Sequence, residues 1–316
     1  MTRLIRHLPE VLVERSGGPL IVALSYLLSK KFDSDESIID YAGMNLRVPW
    51  GLSSGWADNF AKMNAVNRLG AGLVISKTIT YNSRKGNPRP RIIRLPNGMI
   101  NSMGLPNKGL VNWYLELKKV TTVPNNYVFS VKGDNIKEWK ALIKKISIFT
   151  KNIELNFSCP NVTKGIMDLK RTEKMLSSIR KINRDVNLFL KLGPQYGDIE
   201  LMKLIRIVIE NQLVDGISLF NTIPTKHVSL GNPSKIGGYS GPLLYDRLTS
   251  ILTKIRNYSY LDDLPIFAMG GISSLKQALE IWEKYNAIPL VLTSFLQQGP
   301  FIFNKWHQLY KISKNQ

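Results

Sequence analysis

Between residues 127 and 192 the sequence contains three short apolar runs, YVFSV (127–131), NIELNF (152–157) and NLFLKL (187–192). Two amphipathic segments, 135–146 and 172–182, separate them. Near-continuous apolar runs are typical of parallel strands that are buried on both faces. Parallel strands need long connections, and a helix between each pair provides one. This stretch therefore predicts a β–α–β–α–β unit within a parallel sheet.

The same pattern continues on both sides of this unit. Further apolar runs are WGLSS (50–54), GLVISKTI (72–79), VDGISLF (214–220), PIFAMG (265–270) and PLVLT (289–293). Further amphipathic segments are 200–210, 243–255 and 275–284. Eight strands with helices between them predict an α/β fold of the (β/α)8 TIM barrel type over residues 46–316. An open, doubly wound sheet is the alternative.

The first 45 residues do not follow this pattern. Two helical segments, 3–14 and 19–28, are separated by Gly17 and Gly18. They predict an N-terminal helical extension that either packs on the barrel or offers an apolar surface to a membrane or partner. The apolar run 19–28 is shorter than the roughly 20 residues that cross a bilayer, and the SKKF that follows is a poor signal-peptide cleavage site. A cytoplasmic location is expected, with peripheral contact at the inner face of the membrane as the alternative.

The chain is strongly basic and has few metal-binding side chains. It has 43 Lys and Arg against 23 Asp and Glu, a net charge of +20, spread without a long basic block. Such a charge fits an anionic substrate, an anionic membrane, an acidic partner, nucleic acid or simply a solvated basic surface. With Cys159 as the only cysteine, an internal disulfide is excluded. The three histidines are far apart in sequence, and no metal site is expected.

Two lysines lie inside the apolar runs, near the ends of two predicted strands. Lys77 is in ISKTIT and Lys191 is in FLKL. Burying a lysine is costly unless an anion or a hydrogen-bond acceptor meets it. Each of the two either snorkels outward, pairs with a core carboxylate, or faces a bound anion or electron-rich ring. The carboxyl ends of barrel strands form the active face, which favours the third hypothesis.

Other polar or small residues follow the predicted strands. Asn156 ends the fourth, and Asn221 and Thr222 follow the sixth; Gly270-Gly271 and Thr293-Ser294 follow the seventh and eighth, where barrels commonly bind phosphate. Cys159 lies in the polar loop after the fourth strand. A lone cysteine is often an inert, buried side chain, but a thiol with an unperturbed pKa of about 8.5 also suits proton abstraction.

Five motifs together resemble one enzyme family. ELNFSCPN (154–161), GNPRPR (86–91) and INSMGLPNKG (100–109) are similar to signatures of the dihydroorotate dehydrogenases, and GGYSGP (237–242) and AMGGI (268–272) to their flavin-phosphate segments. The motifs occur in the family's order over about residues 40–305. The resemblance implies oxidation of dihydroorotate to orotate in pyrimidine (UMP) biosynthesis, with FMN as cofactor.

The resemblance also implies roles for individual residues. Cys159 would remove a proton from C5 of dihydroorotate while hydride passes from C6 to the flavin, and Lys77 and Lys191 would assist, Lys191 on the N1 side of the ring. Arg91 would brace the active-site loop. The residues implied to hold the substrate are Lys77, Asn101, Met103, Gly104, Leu105, Asn156, Asn161, Asn221 and Thr222. Those implied to hold FMN are Ser54, Gly55, Lys77, Thr78, Asn156, Lys191, Ser240, Gly241, Gly270, Gly271, Thr293 and Ser294.

The sequence combines features of two classes of the family. Cys159 and INSMGLPN resemble the soluble class 1 enzymes, whereas the N-terminal extension and VPWGLSSGWADN (48–59) resemble the membrane-linked class 2 enzymes. Thr293 replaces a glycine and Thr222 a serine of the family pattern. Fumarate, a quinone, or NAD through an electron-transfer subunit therefore all stay open as acceptor, and the chain is expected to form a homodimer or a complex with such a subunit.

Two other functions fit some of these features. A dihydrouridine synthase acting on tRNA would suit the basic charge, but the chain ends soon after the eighth predicted strand, without room for an appended RNA-binding domain. Because INSMGLPN is typical of enzymes that act on free pyrimidines, a nucleic-acid partner is not expected. A non-catalytic flavoprotein subunit would not need Cys159, Lys77 and Lys191 together.

Overall fold

The computed structural model describes residues 17–28, 38–157 and 169–314, and its central feature is a closed parallel barrel. The strands are β1 (Ile39–Tyr41), β2 (Met44–Leu46), β3 (Gly51–Leu52), β4 (Leu73–Ile75), β5 (Ile79–Thr80), β6 (Ile92–Leu95), β7 (Gly98–Asn101), β8 (Tyr127–Lys132), β9 (Asn152–Asn156), β10 (Asn187–Lys191), β11 (Gly216–Leu219), β12 (Ile223–Lys226), β13 (Ile236–Ser240), β14 (Ile266–Met269) and β15 (Ile288–Val291). The ring runs β3–β4–β8–β9–β10–β11–β14–β15, every pair is parallel, and β15 pairs with β3 to close it. The predicted eight-stranded barrel is confirmed.

Helices connect the barrel strands and cover the ring from outside. They are α1 (Gly17–Leu28), α2 (Phe60–Arg68), α3 (Gly109–Leu117), α4 (Ile136–Ile146), α5 (Leu169–Arg180), α6 (Asp198–Glu210), α7 (Leu243–Arg256), α8 (Leu275–Tyr285), α9 (Thr293–Gln298) and α10 (Ile302–Lys314). All five amphipathic segments predicted between residues 135 and 284 are helices, with ends shifted by a few residues. Side-chain caps define some of these ends; the Asn135 side chain, for example, accepts from the Glu138 N–H at 3.1 Å at the start of α4.

The second predicted strand differs from its prediction. Residues 72–79 form two short strands, β4 and β5, with Lys77 between them. The Lys77 N–H donates to the Ala57 carbonyl at 2.8 Å, away from the sheet ladder, while Ser76 still donates to Val128 at 2.9 Å. The chain therefore bends at Lys77, and this lysine lies in a break between strands rather than inside one.

Side chains on the barrel strands alternate between two apolar environments. Outward-facing residues such as Phe129 and Leu190 pack with the surrounding helices in the main core. Inward-facing residues such as Phe189 and Phe267 form a second cluster inside the ring, where their rings stack at 4.2 Å. Burial on both faces explains why these runs are apolar throughout rather than alternating.

A β-hairpin closes the amino-terminal end of the barrel. Strands β1 and β2 pair antiparallel, and Tyr41, Met44 and Leu46 belong to the inner cluster. The Tyr41 hydroxyl accepts from the Ile266 N–H at 2.7 Å and lies 3.0 Å from the Asn286 carbonyl. Residues 39–45, which were predicted to belong to a helical extension, form a hairpin instead, and the predicted boundary at residue 45 falls inside β2.

Substitution of Tyr41 by phenylalanine tests how this hairpin is held. Burial raises the pKa of Tyr41 to about 12, above the value of about 10 in an unfolded chain. The stability that the protonated hydroxyl contributes is therefore complete below pH 10 and declines as the pH rises toward 12. We expect Tyr41→Phe to lower the free energy of unfolding by about 1–3 kcal/mol at pH 8 and by less at pH 11. Urea unfolding at both pH values measures this, and an equal loss at both would contradict it.

The N-terminal helix α1 packs against α2. The Arg68 guanidinium lies 3.8 Å from the centre of the Tyr26 ring, and Gly18 lies close to the Lys62 side chain. The helical prediction for residues 19–28 is confirmed, although the helix starts earlier and includes both glycines.

On the same helix, the side chains of Leu20 and Leu27 remain 54% and 77% exposed. Of the helices described, none is long and apolar enough to cross a membrane. The predicted segment 3–14 lies outside the described residues.

A four-stranded antiparallel sheet, not predicted from the sequence, is inserted among the barrel connections. Its order is β12–β13–β7–β6. The Gln297 side chain of α9 donates to the Gly98 carbonyl at 3.2 Å, and the Thr293 hydroxyl lies 2.8 Å from that of Ser240. Because Thr293 follows β15, these contacts place one end of the sheet beside the carboxyl ends of the barrel strands.

Candidate active site

The interior of the barrel changes from apolar to polar toward the carboxyl ends of its strands. Side chains alternate along a strand, so Lys191 faces inward like Phe189, which belongs to the inner cluster. On β9, Ile153 and Leu155 face the outer core, so Glu154 and Asn156 face inward. Polar side chains thus gather at the carboxyl end, where barrels carry their chemistry.

A chain of hydrogen bonds joins four strand-end residues at this mouth. The Asn156 amide donates to the Thr78 hydroxyl at 2.9 Å. That hydroxyl lies 3.0 Å from the Ser130 hydroxyl and 3.3 Å from the Ser54 hydroxyl. Thr78, Ser130 and Asn156 are buried. The network fixes these side chains and brings together Ser54, Thr78 and Asn156, three residues that the resemblance assigns to FMN.

The two lysines occupy different environments. Lys77 is half-buried at the break between β4 and β5. The Lys191 side chain is 6% exposed, and its Nζ lies 3.6 Å from Glu154 Oε1, whose side chain is completely buried. Lys191 therefore pairs with a core carboxylate, one of the alternatives that the sequence left open. Glu154 was not singled out in the sequence, although the cost of burying a charge inside an apolar run applies to it as much as to the lysines.

The segments GNPRPR and INSMGLPN flank the β6–β7 hairpin and form a braced loop, in which hydrogen bonds join one segment to the other. Arg91 donates through Nε to the Asn87 carbonyl and through Nη2 to the Lys85 carbonyl at 2.7 Å. Asn87 in turn donates to the Ser102 carbonyl at 3.1 Å. The Arg91 side chain thus ties together residues 85–91, and the Arg91 carbonyl accepts from the Ser102 N–H at 2.7 Å. Gly104 has φ +69°, and a Cβ there would lie 2.6 Å from Asn87 Oδ1.

Two further residues assigned to the substrate meet at the inserted sheet. Asn101 donates to the Gly238 carbonyl at 3.2 Å. A Cβ on Gly238 would lie 1.8 Å from the Thr222 hydroxyl, so the glycine makes room for Thr222. Asn221 precedes it, and its N–H donates to the Leu192 carbonyl at 3.1 Å. Asn101, Asn221 and Thr222 thus belong to one group, whereas Met103, Gly104 and Leu105 lie on the braced loop.

Three segments after β13, β14 and β15 form a glycine-lined cradle. A Cβ on Gly241 would lie 2.6 Å from the Asn97 carbonyl, and one on Gly271 would lie 2.6 Å from the Tyr245 backbone nitrogen. The N–H groups of Gly241, Gly270 and Gly271 donate to no backbone carbonyl among the described residues. Closely approaching backbone with available N–H donors is what a phosphate group needs.

The hydroxyls of this cradle already have hydrogen-bond partners in the protein. Thr293 contacts Ser240 at 2.8 Å, and Ser294 donates to the Ile272 carbonyl at 2.6 Å. Thr293, which departs from the family pattern, therefore links the eighth barrel strand to the inserted sheet. Gly55, the remaining glycine of the predicted set, has φ +143° and lies against Leu292.

Substitution of Gly271 tests the cradle. Its φ of +73° and the 2.6 Å approach to the Tyr245 nitrogen leave no room for a Cβ. We expect Gly271→Ala to purify with less than half of the wild-type flavin content. The matched control is Gly197→Ala, because a Cβ there would meet only Glu200 Oε2, at 3.9 Å. Flavin absorbance per protein measures the effect, and full occupancy in Gly271→Ala would contradict it.

Cys159 and Asn161 lie outside the described residues. The strand that leads to them, β9, ends at Asn156, within the polar network of the mouth. Their roles stay predictions from the family resemblance.

Comparison with known proteins identifies the family. The dihydroorotate dehydrogenase family model matches residues 38–311. The catalytic subunit of a dihydroorotate dehydrogenase B (NAD(+)) from Thermoanaerobacter pseudethanolicus is 31% identical over 256 residues, 77% of this chain and 82% of that protein. A dihydroorotate dehydrogenase (quinone) from Chelativorans sp. is 29% identical over 280 residues, 83% of this chain and 77% of that protein.

A solved structure agrees at the level of the fold. Ligand-free DHODH from Eimeria tenella superposes with a TM-score of 0.77 at 23% identity, and the match covers 94% of this chain and 95% of that one. The family consists of oxidoreductases that act on CH–CH groups and generally use FMN. With a family model matched from residue 38 to residue 311, this chain belongs to the dihydroorotate dehydrogenase family.

Proposed function

We propose that this chain oxidises dihydroorotate to orotate for pyrimidine (UMP) synthesis, with FMN as its bound cofactor. Beyond family membership, the observation that supports this most is the buried ammonium of Lys191 at the barrel mouth, 3.6 Å from Glu154 Oε1. Lys191 makes no hydrogen bond to the described residues, so its donors are available to an electron-rich ring. Such a placed cation stabilises negative charge that develops on a bound ring during reduction.

The residues of the mouth and cradle fit FMN. The glycines at 241, 270 and 271 offer backbone N–H groups that donate to no backbone carbonyl among the described residues, and at 241 and 271 the absence of a Cβ lets the neighbouring segments approach closely. Ser54, Gly55, Thr78, Asn156, Ser240, Thr293 and Ser294 would complete the site, with Lys77 and Lys191 beside the ring. FMN, when bound, supplies a hydride acceptor that no amino-acid side chain can replace.

The polar side chains of the mouth suit a small pyrimidine with a carboxylate. Amide groups donate and accept hydrogen bonds at once, which matches the alternating N–H and C=O groups of the ring. Asn101, Asn156, Asn161, Asn221, Thr222 and Lys77 would hold it, together with the loop residues Met103, Gly104 and Leu105. Cys159 would accept the C5 proton as general base, while Lys77 would orient the substrate between the base and the cofactor.

Formation of orotate tests the proposed activity. The purified protein, dihydroorotate and an artificial dye acceptor should produce orotate, which is measured by its ultraviolet absorbance. Dihydrouracil, which lacks the carboxylate, should give no product above background. A yellow protein that forms no orotate with dihydroorotate would overturn the substrate while leaving the flavin site intact.

We further propose a role for residues 1–45 as a segment separate from the catalytic barrel of residues 46–316. Helix α1 packs on α2 yet leaves Leu20 and Leu27 exposed. The relatives differ in their acceptor, one being named for NAD(+) as a catalytic subunit and another for quinone. We propose that this cytoplasmic enzyme works as a homodimer or with an electron-transfer subunit, and that the exposed face of α1 contacts the acceptor side, at the membrane or at that subunit.

Deletion of residues 1–37 tests this role. The deletion stops before β1, so the hairpin that closes the barrel is retained. We expect reduction of FMN by dihydroorotate to stay within about twofold of the full chain, because the barrel is intact. We then compare, between the deletion variant and the full chain, the rate at which reduced FMN is reoxidised. The acceptors are fumarate, a short-chain quinone, and NAD with membrane extract. The rate of reoxidation by one of these acceptors should fall at least fivefold. If reduction of FMN by dihydroorotate falls as much as its reoxidation, the segment has only a structural role.

A further inference from the structure

A buried carboxylate lies directly beneath the cation of the mouth. Glu154 is on β9 and faces into the barrel, one inward-facing position deeper than Asn156. In the register of the sheet, Lys191 on β10 is level with Asn156, so Glu154 is below Lys191 along the barrel. Its side chain is completely buried, and the nearest cation is Lys191 Nζ at 3.6 Å.

No hydrogen bond within the described part of the fold explains why a carboxylate is buried at this position. Neither oxygen of Glu154 has a hydrogen-bond partner among the described residues, and 3.6 Å is longer than a hydrogen bond. A buried ion pair without supporting hydrogen bonds contributes little stability, and apolar residues of similar size often serve as well. Ser218, level with Lys191 on the neighbouring strand β11, also lacks a hydrogen-bond partner within the described part of the chain.

We propose that Glu154 is the counter-charge of Lys191 and that it sets the electron affinity of the flavin bound at the mouth. This inference rests on the proposed FMN site. A lysine alone beside the ring would strongly favour the negatively charged, reduced ring, and a carboxylate next to that lysine offsets its charge. Charges in a protein interior interact over several ångströms strongly enough to change an equilibrium about tenfold or more. Glu154 acts through Lys191 and is a positioning and tuning residue rather than a catalytic one.

Two readouts that do not depend on turnover test the inference. The first is the midpoint potential of bound FMN, measured by anaerobic equilibration with a reference dye. The second is the dissociation constant of sulfite, which adds to oxidised flavin, bleaches it and leaves negative charge on the ring. We expect Glu154→Gln to raise the potential by at least about 30 mV, a tenfold change for a two-electron couple, and to tighten sulfite binding by a similar factor.

Lys191→Met and the double variant complete the test. Lys191→Met, loaded with excess FMN, should shift both readouts at least tenfold in the opposite direction. The double variant Glu154→Gln/Lys191→Met removes both charges and should return to within about threefold of wild type, which tests the inference even if Glu154→Gln alone does not fold. The control is Glu283→Gln, an exposed glutamate on α8, which should shift neither readout.

Several outcomes would overturn the inference. One is a Glu154→Gln protein that holds flavin with an unchanged potential and sulfite constant. Another is a folded Glu154→Gln protein that loses flavin, because a more positive site should retain it. A third is a double variant identical to Lys191→Met. If the wild-type protein itself neither contains nor rebinds FMN, the proposed function fails, and that result is distinct from these three.

Discussion

Cys159→Ala lowers the turnover of dihydroorotate by about 10²–10⁴-fold, the contribution typical of a general base, and leaves flavin content unchanged. The expected loss follows from the role that the family pattern gives this cysteine, removal of the C5 proton. Alanine has no group that can accept a proton, whereas the residues proposed to hold FMN are elsewhere in the chain. Steady-state orotate formation and flavin absorbance, measured on the same preparation, separate the two effects.

Serine provides the matched comparison at this position. Cys159→Ser keeps a small polar side chain of similar shape, so we expect slow turnover between that of the wild type and that of the alanine variant. Serine titrates far above neutral pH, so the residual rate should rise with pH more steeply than that of the wild type. Full activity in Cys159→Ala would remove the cysteine from the mechanism.

Lys191→Ala reduces both flavin retention and stability. Removing one partner of a buried ion pair leaves the other charge without compensation, which destabilises a protein by about 3–5 kcal/mol. Glu154 would be that charge, completely buried and without a hydrogen-bond partner among the described residues. We therefore expect a lower melting temperature and less than a quarter of the wild-type flavin after gel filtration.

An exposed lysine provides the control for this variant. Lys276 lies on the exposed side of α8, so Lys276→Ala should change neither flavin content nor melting temperature. If Lys191→Ala retains its flavin with an unaltered melting temperature, Lys191 has neither of the roles proposed for it.

The barrel could be predicted because strands that are buried on both faces appear in the sequence as near-continuous apolar runs. Each of the eight apolar runs contains a barrel strand, since most of its side chains pack either in the inner cluster or against the layer of helices. The inserted sheet and the closing hairpin leave a weaker signal in the sequence because their strands are short and all but β2 and β7 are exposed or half-buried at several positions. One local signal was available: Pro96-Asn97 joins β6 to β7, and proline followed by asparagine, with glycine next, is typical of a tight turn.

Residues of the candidate site could be predicted where a charged side chain interrupts an apolar strand. Lys191 stands out because a lysine in an apolar strand is costly to bury, and in the structure it is the last residue of β10 and lies 3.6 Å from Glu154 Oε1. Glu154, the third residue of the apolar run NIELNF, carries the same signal, because a buried charge is as costly there as at Lys191. The hydroxyl and amide network around Thr78 depends on contacts between distant segments, and no spacing in the sequence shows it.

We propose that dihydroorotate directly reduces a flavin held at the mouth of this barrel. Anaerobic mixing of the purified, FMN-loaded protein with dihydroorotate, followed by the visible absorbance of the flavin, tests it in a single half-reaction without any acceptor. Rapid bleaching by dihydroorotate, with none by dihydrouracil, is the predicted result. A yellow protein whose absorbance dihydroorotate leaves unchanged would contradict it.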